Sequence, residues 1–117
     1  MKPAEALRAE IVHLSNPVPV MASHNADGQE DSLSHAPLAM QKLDALLERS
    51  ELAVAMELIA AAQSVDLAKP RRIAPKLARV HEAVRRLHPF LDDDRPIGRE
   101  IEAVARDIVR SGMLLQL

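Results

Sequence analysis

LSHAPLAMQKLDALLERSELAVAMELIAAAQSVDL, Leu33 to Leu67, is the stretch on which the fold turns. Ala36, Met40, Leu43, Leu47, Val54, Leu58, Ala61 and Val65 keep an i, i+3, i+4 rhythm along it, the spacing of one face of an α-helix. At about 1.5 Å of rise per residue, a helix of this length crosses most of a domain. Its first half is amphipathic, with Gln41, Lys42, Asp44, Glu48 and Arg49 available for solvent. The second half, ELAVAMELIAAAQ (Glu51 to Gln63), is apolar on nearly every face, and a helix that is apolar all round is buried on all sides. Covering Leu52 to Ala62 takes more helices than the rest of the sequence offers. The stretch therefore predicts self-association or a partner chain.

The flanking sequence offers only shorter helices. Pro3 suits a first helical turn, and Ala6, Leu7, Ile11 and Leu14 follow at helical spacing to about Ser15. SNPVPV and then Asn25, Asp27 and Gly28 make residues 15–31 an irregular, largely extended loop, long enough to imply a task. Pro70 ends the long helix and KPRRIAP is a basic connector. Pro75 opens another helix to about His88, with Leu77, Val80, Val84 and Leu87 on one face. LDDDRPIG is a polar loop. A last helix carries Ile101, Val104, Ala105, Ile108 and Val109 to Ser111, where Gly112 supplies the stop. The pattern predicts a single all-α segment over residues 1–117, a long central helix with shorter ones around it.

Composition agrees with helices. Of 117 residues 48% are hydrophobic, yet Phe90 is the one aromatic, so the core is built from Leu, Ile, Val, Ala and Met. A sheet would ask for more β-branched and aromatic side chains. A net charge of −2 gives no bulk attraction to nucleic acid or anionic membrane, and no cysteine is present for disulfide or thiolate chemistry. MKPAEALRAE is charged where a signal peptide is apolar, and no uncharged run approaches the ~18 residues of a membrane span. A cytoplasmic protein is expected.

The residues that carry chemistry gather in ADGQEDSLSHAP, Ala26 to Pro37, just before the long helix. In one reading Asp31, Ser32 or Ser34 caps that helix and Glu30 complements its positive end. In the other, a carboxylate and an amide on a long loop at a helix start orient an amine or take a proton. Spacing alone leaves both open. Glu57 and Gln63 stand in the most apolar run, where a polar group needs a partner, so each is read as a structural hydrogen-bonding residue. His24 and His35 have the spacing of no standard metal site, and Asp92 to Asp94 lack the alternation and following glycine of a calcium loop. The basic residues Lys69, Arg71, Arg72, Lys76, Arg79, Arg85 and Arg86 have no aromatic interleaving, which argues against nucleic acid.

The run GQEDSLSHAPLAMQKL followed by AMELIAAAQSVDL resembles the C-terminal part of the histidine and aromatic amino acid ammonia-lyases. Their histidine branch carries an Asn-Gln-Glu-Asp-His motif before a Met-Ala-Pro helix start, and a later Glu, Ala-Ala, Gln and Asp on the same helix. Gln29, Glu30, Asp31, Ser34, Ala36 and Pro37 match the first element, and Glu57, Ala61, Gln63, Asp66 and Leu67 the second. Gly28 stands where that branch has Asn and Ser32 where it has His. The resemblance covers about Glu10 to Gly112.

The resemblance implies the all-helical fold of the ammonia-lyases and the fumarase–aspartase-like proteins. It further implies ammonia elimination from an amino acid and tetramers whose active sites combine several subunits around a helical bundle. It also implies a methylidene-imidazolone electrophile, made from an internal Ala-Ser-Gly, and a loop tyrosine. This sequence has no Ala-Ser-Gly and no tyrosine. The chain thus resembles the C-terminal segment of such an enzyme as a separate polypeptide, inactive alone, whose prosthetic group would come from a partner chain or a missing N-terminal part. By the same resemblance Glu30 contacts the substrate and assists proton transfer, Gln29 hydrogen-bonds near the prosthetic group, and the partners are a second copy or a complementary lyase chain. The alternative is a non-catalytic helical module that self-associates through the long helix, or a decayed fragment.

Overall fold

The computed structural model describes residues 2–18, 35–69 and 72–116. They form α1 (Lys2–Leu14), α2 (Ala36–Ala68), α3 (Pro75–Leu87) and α4 (Gly98–Val104). A π-helical stretch (Ala105–Arg110) continues α4, and a 3-10 turn (Met113–Gln116) follows. Among the described residues there is no strand, and the all-α reading holds. No helix among them is long and apolar enough to cross a membrane.

Two compact units divide at Ser50, so that α2 contributes to both. In the first unit α1 ends where the Ser15 hydroxyl donates to the Ile11 carbonyl (2.7 Å) and the Asn16 amide to that of His13 (3.0 Å). Side chains here close the helix that the prolines then prevent from continuing. Val18 is buried, and Leu14, Val18, Ala39, Leu43 and Leu46 line a recess of about 240 Å³. Arg49 joins α2 to α1 by donating to Glu10 (3.0 Å), an exposed pair of small energetic weight.

The core of the second unit is Ala55, Ile59 and Ala62 from α2, Ala83 and Val84 from α3, and Val104, Ala105 and Ile108 from α4 and its continuation. Four of these eight are alanines, whose small side chains let the helices approach closely. Leu52, Leu58, Val80, Leu87, Ile101, Met113 and Leu114 pack around them half-buried. Total burial of the second half of α2 is not observed. Its face at 55, 59 and 62 is covered, while Val54, Ala61 and Leu67 remain exposed.

Local chemistry sets the helix ends. Pro75 occupies the first turn of α3, where a missing N–H costs nothing. His88 precedes Pro89 and so leaves the helical region (φ −133°, ψ 96°), its N–H still bonded to the Val84 carbonyl at 2.8 Å. Gly112 takes the left-handed φ of 73° expected of a C-terminal stop. Lys69 (φ 45°) takes the same conformation after α2 without being glycine. The expected terminator Pro70 and most of the predicted loop, residues 19–31, lie outside the described residues.

Candidate functional site

Gln29 and Glu30, the site pair expected from the sequence, lie outside the described residues, as do Asp31, His24, Ser32 and Ser34. The described residue nearest them is His35, at the head of α2. It has a left-handed φ of 49°, and its Nε2 is buried without a hydrogen-bond partner. A non-glycine residue in this conformation is uncommon and concentrates near functional segments.

The principal polar cluster described belongs to the second unit. Gln63 and Asp66, one turn apart on α2, face His81, Arg85 and His88, which are spaced i, i+4 and i+7 from α3 into the turn after it. Asp66 accepts from His81 Nε2 at 2.8 Å through one oxygen and from Arg85 Nε at 2.6 Å through the other. Arg85 also donates to the Gln63 side-chain oxygen (3.0 Å) and the His88 carbonyl (3.1 Å), and its guanidinium lies 5.7 Å from the Phe90 ring centroid. The Gln63 amide pairs with both backbone groups of Leu91, accepting from its N–H at 3.2 Å and donating to its carbonyl at 2.8 Å. Beyond this turn, Glu100 accepts from His88 Nδ1 and from Arg95, and Arg95 also donates to the Pro89 carbonyl at 3.3 Å.

Carboxylates, guanidinia and amides here satisfy one another and the turn at 88–91. The cluster is a clamp in which one buried side-chain atom, His88 Nε2, is without a partner. Gln63 has the structural hydrogen bonds expected of it. Glu57 lies on the exposed face of α2 and has no partner among the described residues of this chain, and the hydrogen bond expected of it was one within a helical bundle. Sequence reading missed Arg85 as a hub and His88, Arg95 and Glu100 altogether. The available signal was three polar residues at helical spacing on a face that otherwise carries Val84 and Leu87. No group of three or more His, Cys, Asp or Glu among the described residues is arranged to hold a metal ion.

The charges give the clamp a pH dependence. Partial burial pushes the Asp66 carboxyl up, but hydrogen bonds from Arg85 and then His81 outweigh it and hold the group below its ordinary 3.8. For Glu100 the Arg95 hydrogen bond is the main cause, opposed by burial and helped by His88, and the carboxyl sits below its ordinary 4.5. Both folded-state values are depressed, so the stability they contribute is present above the ordinary values and is lost as pH falls through the folded ones. Denaturation across an acid pH series should therefore show stability dropping steeply below about pH 4. In a chain carrying Asp66→Asn and Glu100→Gln, that slope should be shallower, and an unchanged slope would assign the acid sensitivity to other groups.

An all-helical chain with a Gln-Glu-Asp segment ahead of its long helix in the sequence fits the ammonia-lyase class. The chain belongs to the aromatic amino acid lyase family, which it matches over residues 2–86. It is 37% identical over 102 residues to a histidine ammonia-lyase from Sorangium cellulosum, covering 87% of this chain and 20% of that enzyme. A histidine ammonia-lyase from Natranaerobius thermophilus is 31% identical over 114 residues, 97% of this chain and 22% of the enzyme. The crystal structure of histidine ammonia-lyase from Trypanosoma cruzi superposes with a TM-score of 0.85 at 28% identity, covering 96% of this chain and 22% of that one. The chain spans about a fifth of the length of the relatives it matches.

Proposed function

We propose that this chain serves as the C-terminal segment of an ammonia-lyase, supplying Gln29 and Glu30 to a composite active site whose prosthetic group comes from a complementary lyase chain or a missing N-terminal part, with or without further copies of this chain. The observation that carries this reading is the family match through GQEDSLSHAP and into α3, in a chain a fifth the length of its relatives. Glu30 orients the amino acid's ammonium group and moves a proton, and Gln29 holds a hydrogen bond beside it. A carboxylate against apolar walls has its pKa raised toward the working pH, which suits that role. The methylidene-imidazolone group does not fit this chain alone. It arises from Ala-Ser-Gly, which is absent here.

The relatives' names make histidine the first substrate to assay. The purified chain should release no ammonia from histidine, phenylalanine or tyrosine. Mixed with the Sorangium cellulosum enzyme shortened by the fifth that this chain matches, it should restore turnover of histidine. Activity of the chain alone would overturn the proposal, as would a folded mixture that stays silent.

A second reading, self-association through α2, is favoured by the apolar side chains this helix exposes: Met40 (68%), Leu43 (54%), Leu47 (50%) and Val54 (38%). Such a row is wider than scattered surface hydrophobics require. Leu58 is a poor probe of it, because it also packs against the core of the second unit. Val54→Glu is the better one. Sedimentation should show an oligomer for the native chain and its dissociation in this variant, and a native monomer at micromolar concentration would refute the reading.

A further inference from the structure

The charges of the second unit are segregated along α3. Seven of the 15 Lys and Arg residues fall within 69–86, with Glu82 the one acid among them, in a chain whose net charge is −2. Arg85 is engaged in the clamp. Lys69, Arg72, Lys76, Arg79 and Arg86 are exposed, and none has an ion pair or side-chain hydrogen bond among the described residues. Lys76 stands in the first turn, where the field of the helix favours an anion, so it does not stabilise α3 itself. Arg79, Glu82 and Arg86, at i, i+3 and i+7, mark the face turned away from the core residues Ala83 and Val84.

The opposite sign collects at the other end of the helix. Asp66 meets His81 and Arg85, and Gln63, one turn back along α2, holds Leu91, so the chain runs on past the end of α3. Arg95 donates to the Pro89 carbonyl and keeps the intervening loop there. That loop carries Asp92, Asp93 and Asp94, all exposed and without a cation among the described residues. Lys76 and His88 are separated by about 18 Å of helix, more than the ~10 Å over which charges act at about 0.1 M salt. The two ends therefore do not compensate each other within one chain. Phe90, beside the acids, is 43% exposed.

We propose that α3 is the contact surface for a second copy of this chain, the two helices lying antiparallel about a two-fold axis with Arg72, Lys76 and Arg79 of each against Asp92, Asp93 and Asp94 of the other. One chain carries both halves of the charge match, as a contact between identical surfaces requires. The antiparallel order follows from the signs, because a parallel pair would set cations on cations and acids on acids. Phe90 gives a mainly ionic surface an aromatic contact near each end. A long polyanion such as RNA fits less well, since the acids repel it and no aromatic interleaves the cations. The surface is made by residues 72–94, none of them on α2, and rests on neither reading above.

The test uses two charge-reversed chains and their mixture. In a Val54→Glu background, which removes association through α2, sedimentation equilibrium at low salt should show a monomer–dimer equilibrium in the high micromolar range. Lys76→Glu with Arg79→Glu puts acid against acid, and Asp93→Lys with Asp94→Lys puts base against base. Each of these chains alone should dimerise at least about tenfold more weakly than the parent. Mixed in equal amounts, the two restore both contacts, and a heterodimer should form with an affinity close to that of the parent. All four positions are exposed, so the melting transitions should stay native-like, and Lys76→Gln with Arg79→Gln should show the same loss on a smaller scale. Raising the salt to about 0.5 M should dissociate the parent dimer. A parent chain that stays monomeric at low salt would overturn the proposal. So would a mixture no more associated than its components, or a loss on reversing the cations alone, which would assign them to another anionic partner such as a nucleic acid.

Discussion

In a reconstituted enzyme, Glu30→Gln should lower turnover by at least about a hundredfold, the lower end of what a positioned proton-transfer group contributes, and should leave stability nearly where it was. The substitution keeps shape and hydrogen-bonding capacity and removes only the charge and the proton. If Glu30 were merely a charge near the start of α2, the loss would be confined to roughly 0.3 to 1 kcal/mol of stability with little change in rate. Asp31→Ala should behave in the opposite way, costing about 1 kcal/mol as a lost helix cap and having the smaller direct effect on chemistry. The crossed pattern separates the two readings of Gln29–Asp31. Measuring rate and thermal unfolding on both variants in the same complemented assembly checks it, and equal rate losses that simply track unfolding would return the stretch to a capping role.

The helices were legible because their signals are local. The rhythm from Ala36 to Val65 predicts α2 to within three residues at its start and one at its end, and Pro75 marks its boundary by a restricted backbone and Gly112 by a permissive one. The extra backbone turn of the π-helical stretch at Ala105–Arg110 has no such marker, since Ile101, Val104 and Ile108 fit an ordinary helix equally well. The partial exposure of α2 was half legible: the sequence shows an excess of apolar surface without showing which face α3 and α4 cover. The clamp was not legible, because the bonds that tie α2 to α3 and Leu91 join residues 15 to 28 positions apart and each polar member alone resembles a solvated side chain. His88 illustrates the difficulty. Its place before Pro89 fixes its backbone, but only the fold buries its ring. Gln29 and Glu30 were singled out by resemblance, since their spacing suits a cap and a catalytic corner equally.

Arg85→Ala should be among the most damaging single changes in the second unit, at about 2 to 4 kcal/mol. The side chain is 14% exposed and serves three acceptors: the Asp66 carboxylate, the Gln63 oxygen and the His88 carbonyl. Removing it leaves Asp66 with His81 as its one remaining partner in the clamp. It also frees Gln63, which holds Leu91, and unfastens the turn that places His88. Breaking a fully buried ion pair typically costs about 3 to 5 kcal/mol, and the lower figure applies here because Asp66 is 29% exposed and regains some water. Arg85→Lys should recover only part of the loss, since an ammonium pairs with Asp66 but lacks the planar fork that reaches Gln63 and His88 together. Urea denaturation of both variants reads the effect, and a double-mutant cycle with Asp66→Asn isolates the pairwise share. A loss below about 1 kcal/mol in Arg85→Ala, the range of exposed surface pairs, would mean that the turn at 88–91 is held by apolar packing and that the clamp is a solvated surface network.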